Sequence, residues 1–316
     1  PFTDVYCVAV SPAYASDQTV FAGVENGVYR STDKGASWTR IGLLNQHVTA
    51  LTLSPAYAVD RTLYALGQRP APPLDPAVYK SVDGGAVWSH VGASIAHGWM
   101  QNIAVSPDLS NDGVVLVAHL ARGVVRSDDG GASWSESNTG VRLLTMSALA
   151  VSPADAADQT IFAIAGQLPY TDSGAIFRST DGGLSWFASV PDANDSGFSA
   201  IAVSPAYAQD HTVFAATLWS SQFGGGMWRS TNGGASWILA ANGFGSQGRH
   251  TAIAFSPAYA ADQTIFVSNW QGVYKSCNGG DLWVKTALSG VVDTVAVSPN
   301  FAADQTVFAG SANGVY

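Results

Sequence analysis

The chain has 316 residues, of which 47% are apolar and only 12% charged, and its formal net charge is −9. That composition supplies a large core and excludes a disordered polar chain. With only Lys34, Lys80, Lys275 and Lys285 as lysines, the acidic balance argues against a nucleic-acid partner or a polybasic membrane contact. No apolar run reaches the ~18 residues of a membrane-crossing helix, so no membrane insertion is expected.

The first repeat sets the plan. Val5 to Val10 reads as a short strand, Ser11 to Gln18 as a connection and Thr19 to Gly23 as a second strand. Val28 to Ser31 is a third, Asp33 opens a tight turn, and Ser37 to Ile41 is a fourth. Short β-branched and aromatic runs bounded by Gly, Pro, Asp and Ser are the pattern of hairpin-linked antiparallel strands. Ser-Pro followed six residues later by Asp then recurs, its serines being Ser11, Ser54, Ser106, Ser152, Ser204, Ser256 and Ser298. The octapeptide Ser-x-Asp-x-Gly-x-x-Trp, or a near variant, opens at Ser31, Ser81, Ser127, Ser179, Ser230 and Ser276.

Four strands in a unit of roughly fifty residues, repeated without a linker, predict a radial array. Three residues before each Ser-Pro serine stand Val8, Leu51, Ile103, Leu149, Ile201, Ile253 and Val295, and small residues follow them. Such strands interlock around a crowded axis. The expected fold is an all-β, seven-bladed β-propeller with four-stranded antiparallel blades, forming one domain over residues 1–316. The seventh blade stops at Gly314-Val315-Tyr316, with three strands, so a fragment of a longer protein is expected, or a blade completed by a neighbouring domain or chain. The Asp side chain suits a turn-capping role, glycine the positive φ beside it, and the tryptophan a plug between sheets. Cys7 and Cys277 fall in an inner strand and an outer turn of different repeats, so free thiols are expected.

The octapeptides resemble the BNR or Asp-box repeat family over the whole chain. That resemblance implies a propeller of the kind found in sialidases, xyloglucan-type glycoside hydrolases, sortilin-like receptors and the photosystem II assembly factor. It does not imply one activity. A sialidase would need an arginine cluster and a tyrosine–glutamate pair, yet only Glu25 and Glu136 exist, and no Arg-Ile-Pro segment precedes the first repeat.

Loops joining strands one to two and three to four lie on one face of a propeller, and here their lengths are constant. All length variation falls in the other two loop classes, so the opposite face is individual, where binding and chemistry reside. Trp99, Trp219 and Trp270 lie there, joined by Tyr170, Phe223 and Phe244. Arg69, Arg142 and Arg249 depart from the repeat and offer polar contacts, whereas Arg30, Lys80, Arg126, Arg178, Arg229 and Lys275 share one repeated position and read as structural. Glu25, Asp75, Asp172, Asp192 and Asp195 are acids of the variable face, but no feature pairs them as a hydrolase requires. His47, His97, His119 and His250 lack metal-ligand spacing. The run Asp192 to Gly197 resembles the start of a calcium loop, but its twelfth position is Val203, so no cofactor is expected. The expected function is non-catalytic recognition of a glycan or protein, by a secreted or cell-surface module. A glycoside hydrolase and a structural assembly protein are the two alternatives.

Overall fold

The computed structural model describes residues 2, 4–69, 76–95, 98–142, 145–165, 174–189, 197–217, 226–244 and 250–316. Blade one has antiparallel strands Val5–Val10, Val20–Val24, Gly27–Ser31 and Thr39–Gly42, paired in chain order. Among the described residues the strands form seven such sheets, six with four strands and the last with three. The ring closes where Val5–Val10 packs against Thr294–Val297 of blade seven. The protein is therefore an all-β, seven-bladed propeller whose last blade has three strands.

Each Ser-Pro connection, expected as plain chain, holds a single helical turn such as Tyr14–Asp17. The Ser11 hydroxyl donates to Asp17 Oδ2 at 2.6 Å while accepting from the Ala13 N–H at 3.1 Å. Asp17 Oδ1 accepts from the Thr19 N–H at 2.9 Å, which returns the chain to the sheet. The serine–aspartate bond recurs at all seven copies, and these serines are wholly buried. A buried hydroxyl without such a partner would cost about 1–3 kcal/mol.

The Asp turn on the same face uses the same logic. Ser31 donates to Asp33 Oδ1 at 2.7 Å and accepts from the Gly35 N–H at 2.8 Å, and Asp33 also accepts from the Ser37 N–H at 2.8 Å. Lys34 and Gly35 take φ of 63° and 90°, and all five other copies place two glycines there, as a left-handed pair favours. Hydrogen bonds from the Ser37 hydroxyl and N–H, then from Ser31, hold the Asp33 carboxyl down at about 2. In blades five and six Asn232 and Asn278 do the same accepting with an amide oxygen. The two turns are stitched together, since Gly84 N–H donates to Arg61 O at 3.0 Å and Gly130 N–H to Gly113 O at 2.8 Å.

Contacts between blades also repeat. The indoles of Trp134, Trp186 and Trp283 donate to Val91 O, Ser137 O and Ala240 O of the preceding blade at 2.7–2.8 Å. In the other direction Arg30 reaches Gly84 O at 3.2 Å, and Lys80 reaches Gly130 O at 2.9 Å, both in the following blade. Arg30 and Lys80, two of the six repeated cations, thus tie neighbouring blades together. Both cysteines are free, and burial pushes the Cys7 thiol up to about 12.

Trp283 is 2% exposed, so Trp283→Ala is expected to destabilise the protein by about 3–5 kcal/mol in denaturant unfolding. Trp38, which reaches only Gly35 O of its own turn, should cost less. The Asp129 carboxyl is held at about 2, below its ordinary 3.8, led by the Ser133 hydroxyl. Its stabilising contribution is therefore complete above the ordinary value and lost as pH falls toward the folded one. Thermal unfolding of Asp129→Asn should match wild type at pH 7 and lose less stability than wild type between pH 4 and pH 2.

Candidate functional site

On the variable face, every complete blade interrupts its innermost strand at the same place. In blade one Val5 pairs with Val24 and Cys7 with Gly23, leaving Tyr6 as the extra residue of a bulge. Thr49, Gln101, Ser147, Ser199 and Thr251 are skipped in the same way in blades two to six. Asp293 holds the matching position in blade seven, just before Thr294, its N–H donating to Gly310 O at 2.9 Å. A bulge bends the strand and re-aims the extra side chain, so one extra residue per blade sits at the variable-face end of the innermost strand.

Three of these side chains serve the backbone. Ser147 and Ser199 donate to Ile164 O and Ala216 O of their own ladders at 3.4 and 3.2 Å, and Thr251 donates to Val292 O of the next blade at 2.8 Å. Tyr6 and Asp293 break the pattern on adjacent blades. His47 Nε2 lies 3.5 Å from Glu25 Oε1, and the Tyr6 ring lies tilted against the imidazole at 6.1 Å. Burial and then Asp4, Glu25 and Asp293 push the Tyr6 phenol up. Burial, reinforced by Asp4, also raises the Asp293 carboxyl. The backbone anchors Asp4 through its N–H to Ala312 O at 3.1 Å. The mouth between blades seven, one and two thus carries three carboxylates, a phenol and an imidazole. Like charges held together favour a cation, a proton or a polyhydroxylated ligand. Among the described residues no group of three or more His, Cys, Asp or Glu is placed to hold a metal ion.

Trp99 and Trp270 lie on this face as expected, 49% and 51% exposed. Trp99 immediately precedes Met100–Val105 of blade three, and Trp270 sits in the turn between Ile265–Asn269 and Gly272–Ser276 of blade six. They stand across the ring from one another, so they form no single patch. Arg69 and Arg142 are exposed on other blades. Tyr170, Trp219, Phe223 and Arg249 lie outside the described residues, as do Asp75, His97, Asp172 and the calcium-like stretch from Asp192 to Ser196.

Three further candidates are structural. Phe244 is 3% exposed, stacked on Trp283 at 4.9 Å and edge-on to His250 at 4.5 Å. Burial lowers His250 to about 4, so it stays neutral. His119 is buried, its Nδ1 accepting from the Ala121 and Arg122 N–H groups at 3.0 and 3.1 Å. Arg122 itself is committed to Glu136 at 2.8 Å and Ser94 O at 2.9 Å. Sequence reasoning missed Asp4, Tyr6 and Asp293. The column five residues before each Ser-Pro serine held the signal for two of them, because only there do tyrosine and aspartate replace hydroxyl and amide residues.

No protein-family model and no curated protein matches the chain. Solved structures do. The GH74 enzyme of Niastella koreensis is similar at 19% identity and a TM-score of 0.76, over 99% of this chain and 52% of that one. The chain therefore spans about half the length of that enzyme. YCF48 from Cyanidioschyzon merolae is similar at 15% identity and a TM-score of 0.68, over 99% and 94% of the two chains. A structure of YCF48 bound to D1 peptide aligns at 14% identity and a TM-score of 0.68, over 99% and 92%. At these identities the likeness establishes the propeller fold alone.

Because Asp4 raises Asp293, Asp4→Asn should move the Asp293 carboxyl titration back toward its ordinary 3.8 in carbon-detected NMR. An acid raised by folding opposes the fold once ionised, so this cost is absent below 3.8 and complete above the folded pKa. Asp293→Asn should accordingly raise Tm at pH 7 and leave it unchanged near pH 3.

Proposed function

We propose that the chain is an Asp-box propeller acting as a non-catalytic recognition module, which binds a glycan or protein segment across its variable face. One observation carries the reading. Trp99 and Trp270 stand half-exposed on the face opposite the hydrogen-bonded turns. An indole held in water offers a flat apolar plate to a sugar ring or a peptide side chain. The mouth formed by Asp4, Tyr6, Glu25, His47 and Asp293 adds charge between them, and Arg69 and Arg142 add donors at the rim. Tyr170, Trp219, Phe223 and Arg249 belong to the same reading by their place in the variable loops. The similarity to a peptide-bound propeller of matching length supports a peptide as one class of ligand, and no cofactor is required.

A second reading has its own observation. Glycoside hydrolysis needs one carboxyl held protonated and another ionised beside it. Asp293, raised by burial and by Asp4, meets the first condition. In that reading Asp293 is the general acid, and the likeness to a GH74 enzyme gains weight.

A glycan and peptide array combined with a reducing-sugar release assay separates the two. Recognition predicts binding without release, with Trp99→Ala and Trp270→Ala each weakening affinity about tenfold, the effect of losing ~1.4 kcal/mol at an aromatic anchor. Sugar release that disappears in Asp293→Asn would establish the hydrolase instead.

A further inference from the structure

Blade six places a titratable side chain where every other blade places an apolar one. The residue just before the bulge position is Val5, Val48, Met100, Met146, Phe198 and Val292 in the other six blades, and His250 in blade six. All seven are buried, His250 completely. Packing alone asks for no more than methionine or phenylalanine here, so the imidazole needs a different explanation.

His250 stands opposite Asn269 in the ladder. Asn269 is also fully buried, and it shares a face of its strand with Ile265 and Val267, which pack with Phe244. Among the described residues, neither ring nitrogen of His250 has a hydrogen-bond partner, nor has Asn269 Nδ2. The other atom of that amide is engaged, since Asn269 Oδ1 accepts from the Gln271 N–H at 2.8 Å. That bond closes the turn on which Trp270 stands half-exposed, between Ile265–Asn269 and Gly272–Ser276.

No charge compensates a proton at this position. The strands packed against His250–Phe255 are Phe198–Val203 and Val213–Thr217 of blade five, Thr294–Val297 of blade seven and Ile265–Asn269 beside it, and none holds a titratable side chain. In Gly272–Ser276 the Tyr274 phenol donates to Gln271 Oε1 at 3.0 Å, and Lys275 rests on the rings of Phe266 and Phe301. Burial alone lowers the His250 pKa.

We propose that His250 is a proton-operated latch on the turn that carries Trp270. Protonation gives the buried ring a charge and a second N–H donor, which is costly unless an acceptor meets it. The acceptor across the ladder is Asn269 Oδ1, and a charged donor outcompetes a neutral one for it. The imidazolium takes that oxygen, the Gln271 N–H is left unpaired, and the turn opens. At pH 7 the ring is neutral and the turn is closed. As a control on ligand binding the latch rests on the recognition reading, whereas the movement itself does not.

The test therefore needs no ligand. NMR follows the indole N–H signal of Trp270, assigned by its loss in Trp270→Phe, and the exchange rate of the Gln271 amide, from pH 7 to pH 4. The comparison is His250→Met, which installs the residue of blades three and four; His250→Phe, with the residue of blade five, replaces it if that variant does not fold. At pH 4 the Gln271 amide should exchange at least tenfold faster in wild type than in the variant, and at pH 7 the two should agree. The Trp270 signal should shift with the midpoint of the His250 ring protons, while Trp99, across the ring, does not move. Equal exchange rates at pH 4 overturn the proposal. So does a Trp99 signal that moves together with Trp270, because acid would then loosen the whole ring. A failed latch leaves binding at pH 7 untouched, and a silent array leaves this titration unaffected, so the two readings fail separately.

Discussion

Everything in this propeller hangs from a buried serine hydroxyl that donates to a carboxylate two or six residues away and accepts from the backbone between. The Ser11–Asp17 and Ser31–Asp33 bonds are two spellings of one device. A short loop cannot bury its backbone polar groups unless something local satisfies them. Here a two-atom side chain does so, leaving the turn compact enough for its glycines and its tryptophan to reach a neighbour. With the lower loops locked, the variation in length is confined to the upper ones.

The upper face is built by the opposite principle. A bulge in the innermost strand breaks strict alternation and turns a side chain toward the axis. Where that side chain is Ser199 it repairs the ladder, and where it is Thr251 it ties to the next blade. Where it is Tyr6 or Asp293 it has charged neighbours instead, and both titrate away from their ordinary values. One backbone feature therefore yields either scaffold or chemistry, according to the residue placed on it.

The fold was legible because its cause is local and repeated. Ser-Pro, Asp, Gly and Trp recur at fixed spacing, and the strands appear within a residue or two of where those signals put them, as Val5–Val10 and Gly27–Ser31 show. The single helical turns were not legible, since Tyr14 to Asp17 is too short for any periodicity to register. The site was legible only in part. Loop length marked the face and Trp99 and Trp270 on it, but exposure cannot be read from spacing, and Phe244 proved to be buried beneath the loops it belongs to. Asp4 meets Asp293 only because the ring closes, a contact between opposite ends of the sequence that no local pattern encodes.

The indole of one blade grips the carbonyl of the blade before it, while its cation grips the blade after. Neighbour-to-neighbour ties of this kind make the ring behave as a chain of coupled links, each as secure as the two it touches. Trp38 and Trp88 lack the backward tie, reaching only Gly35 and Gly85 of their own turns. Both shortfalls flank blade one, on its borders with blades seven and two. Amide protons along those two borders should therefore be the first to exchange when the ring breathes.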